Sequence, residues 1–259
     1  MGEVIEMTSI NFNYNINTDF SLPQQTSFKK NAGSNIQNVA IITDRYITNP
    51  LNSIYGTKPE IEAAIKSNPK IRQILDEHHL HAFVNETELE KLRKGHLQNT
   101  RITAAKIYSN LPAELKNQIN LQELQEAAMF HDYGKILIPD AILNKKGALN
   151  DTEWAIMRRH SELGAELLKN KDLSPRTIEL VKFHHLNGKG NGYPSPDKTY
   201  RHGLDTEVLT LADKFEALME ERSYKNAMSR NEALGILEHD VKSGLISQEV
   251  FDALKKTVC

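Results

Sequence analysis

Cysteine is nearly absent from this chain, the only one being Cys259 at the last position. That excludes an intramolecular disulfide and a thiolate zinc cluster, and it fits a reducing compartment. Long apolar runs are missing as well. None reaches the roughly 18 residues that a membrane-spanning helix needs, and the start, MGEVIEMTSINF, lacks the basic segment and apolar core of a secretion signal. The expected location is the cytoplasm. Nor does charge of one sign dominate: 32 basic and 34 acidic residues leave a net charge of -2. This argues against duplex nucleic acid or an anionic membrane as a partner, so any recognition of phosphate has to be local.

What is present is a chain of 259 residues, long enough for one well-packed domain with an appendage. Residues 1–57 are rich in Asn, Ser, Thr and Gln, and by themselves bury too little apolar surface to offset the entropy of ordering. Within them Ile10, Phe12, Tyr14 and Ile16 alternate with asparagines, the period of a half-buried edge strand. A disordered tail with accidental alternation is the competing reading. From Lys58 onward the spacing turns helical, and the expectation for 58–259 is an all-α bundle. Helices are predicted over about 87–110, 120–131, 151–170, 174–186, 205–220, 229–242 and 247–256, with Asn150, Asp151 and Ser174 as N-cap candidates and Pro175 at a first helical position. The Gly-rich stretch from Gly188 to Pro194 reads as a loop.

Of the 10 histidines, several sit where the helical pattern turns them inward. Trp154, Met157, His160, Gly164 and Leu167 recur at helical spacing, and Ile178, Val181 and His185 form a similar stripe with His184 beside it. His131 and Asp132 close a helix carrying Leu124, Ala128 and Met129. Buried imidazoles and a carboxylate need partners, and a metal satisfies them together. Nitrogen and carboxylate ligands without sulfur suit iron, manganese or another first-row ion better than structural zinc. Asp132 is the natural bridge between two ions, which would polarise a phosphoryl oxygen and activate water. Lys135 either faces that site or is a solvated surface lysine. His78, His79, His81, His202 and His239 are read as exposed or packing residues.

The segment HDYGKILIPDAILNKKGALNDTEWAIMRRHSELGAELL (131–168), then HHLNGKGNGYP (184–194) and LADKFEALMEERSYKNA (211–227), resembles the HD domain phosphohydrolases and, within them, the HD-GYP cyclic-dinucleotide phosphodiesterases, over about residues 90–255. The resemblance implies an HD-domain helical bundle and a ligand set of His96, His131, Asp132, His160, His184, His185 and Asp213. It implies Asp132 and Lys135 at the reacting phosphate, and Arg222, Lys225 and Tyr193 as further substrate contacts. Gly192, Tyr193 and Pro194 are the residues that name the subfamily, and a rigid turn beside the site is the plainer reading of them. The sequence departs from the pattern at Leu186, Lys189 and Lys146. Leu92 stands where some members carry a glutamate for a third metal, so two divalent ions are expected. The implied activity is hydrolysis of a cyclic dinucleotide, cyclic di-GMP foremost. The alternatives are hydrolysis of another nucleotide or cyclic dinucleotide, or a quiet module that binds a cyclic dinucleotide or a protein. A protein partner through residues 1–57 or the Gly192-Tyr193-Pro194 loop, and a homodimer, stay open.

Overall fold

The structure, a computed structural model, describes residues 54–94, 97–198, 200–220 and 227–258. The alternating segment Ile10 to Ile16 and the predicted site residues His96, Arg222 and Lys225 lie outside the described residues. Among the described residues the regular structure is entirely helical. Short elements come first: α1 (Lys58–Ser67), α2 (Pro69–Glu77) and α3 (Glu86–Arg93). They are followed by α4 (Gln98–Asn110), α5 (Ala113–Lys116) and α6 (Leu121–Phe130), then a 3-10 turn over Tyr133–Leu137 and α7 (Asp140–Leu143). The second half comprises α8 (Asp151–Met157), α9 (His160–Leu168), α10 (Pro175–Phe183), α11 (Leu204–Met219), α12 (Arg230–Lys242) and α13 (Gln248–Val258).

Side-chain caps set many of the starts. Thr57 and Glu60, Asn150 and Glu153, and Ser229 and Glu232 form reciprocal capping boxes, and Ser174 caps α10 with Pro175 in the first turn. Asp151, the other N-cap candidate, is instead the first residue of α8. The helix predicted over 87–110 is two helices, α3 and α4. That predicted over 151–170 is also divided, at Arg158 and Arg159. The second break has a local cause: the Met157 carbonyl accepts a hydrogen bond from the His160 ring, 2.8 Å away, so an imidazole competes with the helical ladder at that turn.

The core is continuous. The central helix α11 buries Val208, Leu209, Leu211, Ala212, Phe215 and Leu218 and packs against α4, α6, α10, α12 and α13. The 3-10 turn lies on α9, where glycine is required: a Cβ on Gly134 would stand 1.9 Å from the His160 carbonyl oxygen. Tyr55, which the sequence assigns to the N-terminal extension, is fully buried against Phe130 and Tyr133. Its hydroxyl donates to the Met129 carbonyl at 2.7 Å, and the Tyr133 hydroxyl donates to the Tyr55 carbonyl. The packed body therefore includes Tyr55, ahead of Lys58, and this residue braces the turn that carries His131 and Asp132.

Candidate metal centre

Helix ends deliver the polar groups. His131 follows α6, His184 follows α10, and His160 opens α9. Each imidazole uses Nδ1 in the same way, bonding to the carbonyl three residues back: His131 to Ala128 at 2.9 Å, His160 to Met157 at 2.8 Å and His184 to Val181 at 2.7 Å. A carbonyl only accepts, so Nδ1 must carry the proton. In the neutral ring the lone pair is then left on Nε2. The backbone thus sets the tautomer of all of these rings and aims Nε2 into one buried space.

Carboxylates meet them there. The Nε2 of His131 is 3.3 Å from Asp213 Oδ1 and 3.5 Å from Asp132 Oδ2, while His160 Nε2 is 3.4 Å from Asp132 Oδ1. His185 Nε2 lies 3.2 Å from His160 Nε2. The structure thereby brings His131, Asp132, His160, His184, His185 and Asp213 together. Lys135 joins them: it is 3 % exposed and its Nζ donates to Asp132 Oδ2 at 2.6 Å, which decides against the solvated-surface reading. Thr210, which the sequence patterns did not single out, donates its hydroxyl to the His184 carbonyl at 2.7 Å and holds that turn against α11. A threonine on a buried helix face carries no signal of this role in the sequence.

Burial and charge pull the titrations apart. Burial pushes His160 down to about 4, against the raising effect of Asp132. Burial together with His131 and His160 pushes His184 down to about 3, and burial with the neighbouring imidazoles holds His185 well below its ordinary value. For His131 burial acts downward too, but Asp132 and Asp213 outweigh it and raise the ring to about 9. Burial would raise Asp132, yet Lys135 and the imidazoles hold it well below the usual carboxylate range. The cluster therefore keeps its carboxylates ionised and most of its imidazoles neutral.

These residues fit a metal. His184 Nε2 is buried without a hydrogen-bond partner, a costly state for a lone pair unless a cation faces it. The rings of His160, His184 and His185 offer nitrogens within 4.8 Å of one another, which could hold an ion. The donor set, imidazole and carboxylate, is the chemistry of first-row divalent metals.

Tyr193 roofs the cluster. Its ring lies 4.4 Å from that of His185 at 31°, and 6.0 Å from that of His160. Gly192 permits this approach: its φ is +123°, and a Cβ there would stand 2.0 Å from the His185 carbonyl oxygen. The other histidines among the described residues are elsewhere. His78 accepts from Arg159 Nε at 3.0 Å, His202 lies between Tyr200 and Glu207, and His79, His81 and His239 contribute nothing to the cluster. Of the departures from the family pattern, Leu186 and Leu92 are fully buried core residues, while Lys189 and Lys146 are exposed.

The HD domain family model matches residues 74–250. Two proteins of Vibrio cholerae are similar to this chain. Its 3'3'-cGAMP-specific phosphodiesterase 1 is 32% identical over 151 residues, 58% of this chain and 35% of the relative. Its 3'3'-cGAMP-specific phosphodiesterase 3 is 35% identical over 135 residues, 52% of this chain and 29% of the relative. A cyclic di-GMP phosphodiesterase of Thermotoga maritima is 34% identical over 142 residues, 54% of this chain and 38% of the relative. The chain thus matches about a third of the length of these curated relatives. Among the described residues no helix is long and apolar enough to cross a membrane.

Proposed function

This chain belongs to the HD domain family, and we propose that it is a metal-dependent phosphohydrolase that opens a phosphodiester of a cyclic dinucleotide, cyclic di-GMP foremost, to give the linear dinucleotide. One observation carries this reading: the imidazoles of His131, His160 and His184, each locked by its own helix carbonyl, turn Nε2 into the buried space holding Asp132, Asp213 and the Lys135 ammonium. Relatives named as cyclic-dinucleotide phosphodiesterases support it.

The proposed cofactor is a pair of divalent ions, iron or manganese, with His96, His131, Asp132, His160, His184, His185 and Asp213 as ligands. When bound, such ions polarise a phosphoryl oxygen and make water a nucleophile at neutral pH. Asp132 has the disposition of a bridging group, since Oδ1 faces His160 while Oδ2 faces His131 and Lys135. Lys135 places a buried positive charge next to that carboxylate, where it would stabilise the nonbridging oxygens of the reacting phosphate. Arg222 and Lys225 are proposed as further phosphate contacts, a planar fork and a point charge that together hold an anionic backbone. Tyr193, packed on His185, closes one side of the cluster against water.

Within the same class, 3'3'-cGAMP is the second candidate substrate, because the similar proteins of Vibrio cholerae bear its name. The test is to prepare the protein anaerobically with manganese or with iron and supply cyclic di-GMP, 3'3'-cGAMP and mononucleotides. Conversion of a cyclic dinucleotide to its linear form is the expected result. Turnover of mononucleotides alone would sink the reading, and tight binding without turnover would make the chain a binding module. Asp132→Ala should lose both bound metal, measured by elemental analysis, and activity.

A further inference from the structure

Two arginines stand side by side at the break between α8 and α9, and their surroundings are opposite. Arg159 is fully committed. Its guanidinium reaches Glu162 at 2.6 Å, His78 at 3.0 Å and Glu77 at 3.5 Å. Arg158 is exposed, and among the described residues its guanidinium makes no ion pair and no hydrogen bond. What holds it is aromatic. Its central carbon lies 5.7 Å from the Trp154 ring, one helical turn earlier, and 5.7 Å from the Tyr193 ring. A guanidinium attracted to ring faces keeps its in-plane N–H donors available, and those donors match paired acceptors.

The location gives this meaning. Arg158 precedes His160 by two residues, and Tyr193 is in contact with both Arg158 and the His185 ring. A continuous path therefore runs from the imidazole cluster through Tyr193 to an uncommitted cationic fork at its edge. The chain as a whole is slightly acidic, with a net charge of -2, so an anionic ligand has to be captured by local charges such as this one.

We propose that Arg158, positioned by Trp154 and Tyr193, is a substrate-binding residue that grips the dinucleotide beyond the bond being cleaved, through a pair of adjacent acceptors. Two groups on the ligand offer such a pair: the nonbridging oxygens of the phosphodiester that is not cleaved, and the O6/N7 edge of a guanine. The proposal rests on the reading of the site as a cyclic-dinucleotide phosphodiesterase.

The experiment uses the full manganese-loaded chain with Arg158→Ala and Arg158→Lys. Steady-state kinetics are run on cyclic di-GMP and cyclic di-AMP, and a phosphorothioate cyclic di-GMP is titrated against the fluorescence of Trp154, the only tryptophan. Losing a charge-assisted pair should raise KM, and the Kd of the analogue, by about 10-fold to 100-fold. The loss should fall on KM rather than kcat, because the contact is remote from the bond that breaks. Lysine should rescue little, since it lacks the planar fork. An equal rise with both substrates assigns the phosphodiester, and a rise confined to cyclic di-GMP assigns the guanine edge. If wild type turns over cyclic di-GMP and Arg158→Ala changes neither KM nor Kd, or lowers kcat alone, the inference fails while the reading of the site stands. A wild-type chain that neither binds nor cleaves any of these ligands overturns both.

Discussion

At the scale of single residues, the geometry separates holding a site from doing chemistry in it. Lys135 donates to Asp132 and is not itself a proposed ligand, so its removal should leave the proposed ligands in place. Lys135→Ala is expected to retain bound metal by elemental analysis while kcat falls about 10²- to 10³-fold, the scale seen when one preorganised stabiliser of developing charge is removed. Parallel loss of metal and activity would instead make Lys135 structural. Thr210 acts one step further out. Its hydroxyl is the donor to the His184 carbonyl, and Thr210→Val leaves that acceptor buried and unpaired. The expected cost is about 1–3 kcal/mol, read as a lower denaturation midpoint at unchanged slope. The role of Thr210 was not legible in the sequence, whereas that of Lys135 was implied by the family resemblance with its burial left open. Lys135 fits a surface and a buried reading equally well three residues after Asp132, and only the packing of the 3-10 turn on α9 distinguishes them.

At the scale of elements, the approach of the 3-10 turn to α9 is the contact on which the cluster depends. It lets Asp132 reach His160, and it leaves no room for a side chain at Gly134. Gly134→Ala should destabilise the protein by about 1–3 kcal/mol or more, through forced separation of two backbones, and should weaken metal retention. Gly235 is the internal control. It lies in α12 with nothing near a would-be Cβ, so Gly235→Ala should stabilise by about 0.5–1 kcal/mol through helix propensity alone. Thermal melts of both variants, with metal assayed on each, test the contrast. Apolar periodicity marked the inward positions of His160, His184 and His185. It placed helix ends less well, since both predicted helices that proved divided keep their periodic pattern across the break. Periodicity records which face is buried, whereas a break depends on whether an imidazole or a cap claims the carbonyls.

At the scale of the whole molecule, long-range ties join the end of the chain to its centre. Glu207 near the start of α11 accepts from the Ser247 backbone at 2.9 Å, from the Ser247 hydroxyl and from His202 at 3.2 Å. Burial alone would raise its pKa, but His202 and Ser247 outweigh that and hold it below the ordinary 4.5. A carboxylate depressed on folding adds stability that is complete above its unfolded value and disappears as pH falls through its folded value. The melting temperature of wild type should therefore exceed that of Glu207→Gln near neutrality, and the gap should close below about pH 4.5. A gap that persists unchanged at pH 3 would assign the tie to neutral hydrogen bonds.

The sequence by itself determined that the chain is helical from Lys58 onward, that several histidines and Asp132 face inward, and that the order of its motifs follows the HD domain family. The helical character and the inward faces are written in spacing, because a helix turns its residues to one face at a fixed period, and the family order is a resemblance carried by the motifs themselves. Tertiary structure alone decided that Tyr55 belongs to the packed body, that Lys135 is buried, that Thr210 supports His184, and that Arg158 is left uncommitted beside Arg159. Each of these depends on which distant backbone or ring occupies the neighbouring space, and no local pattern of residues encodes that.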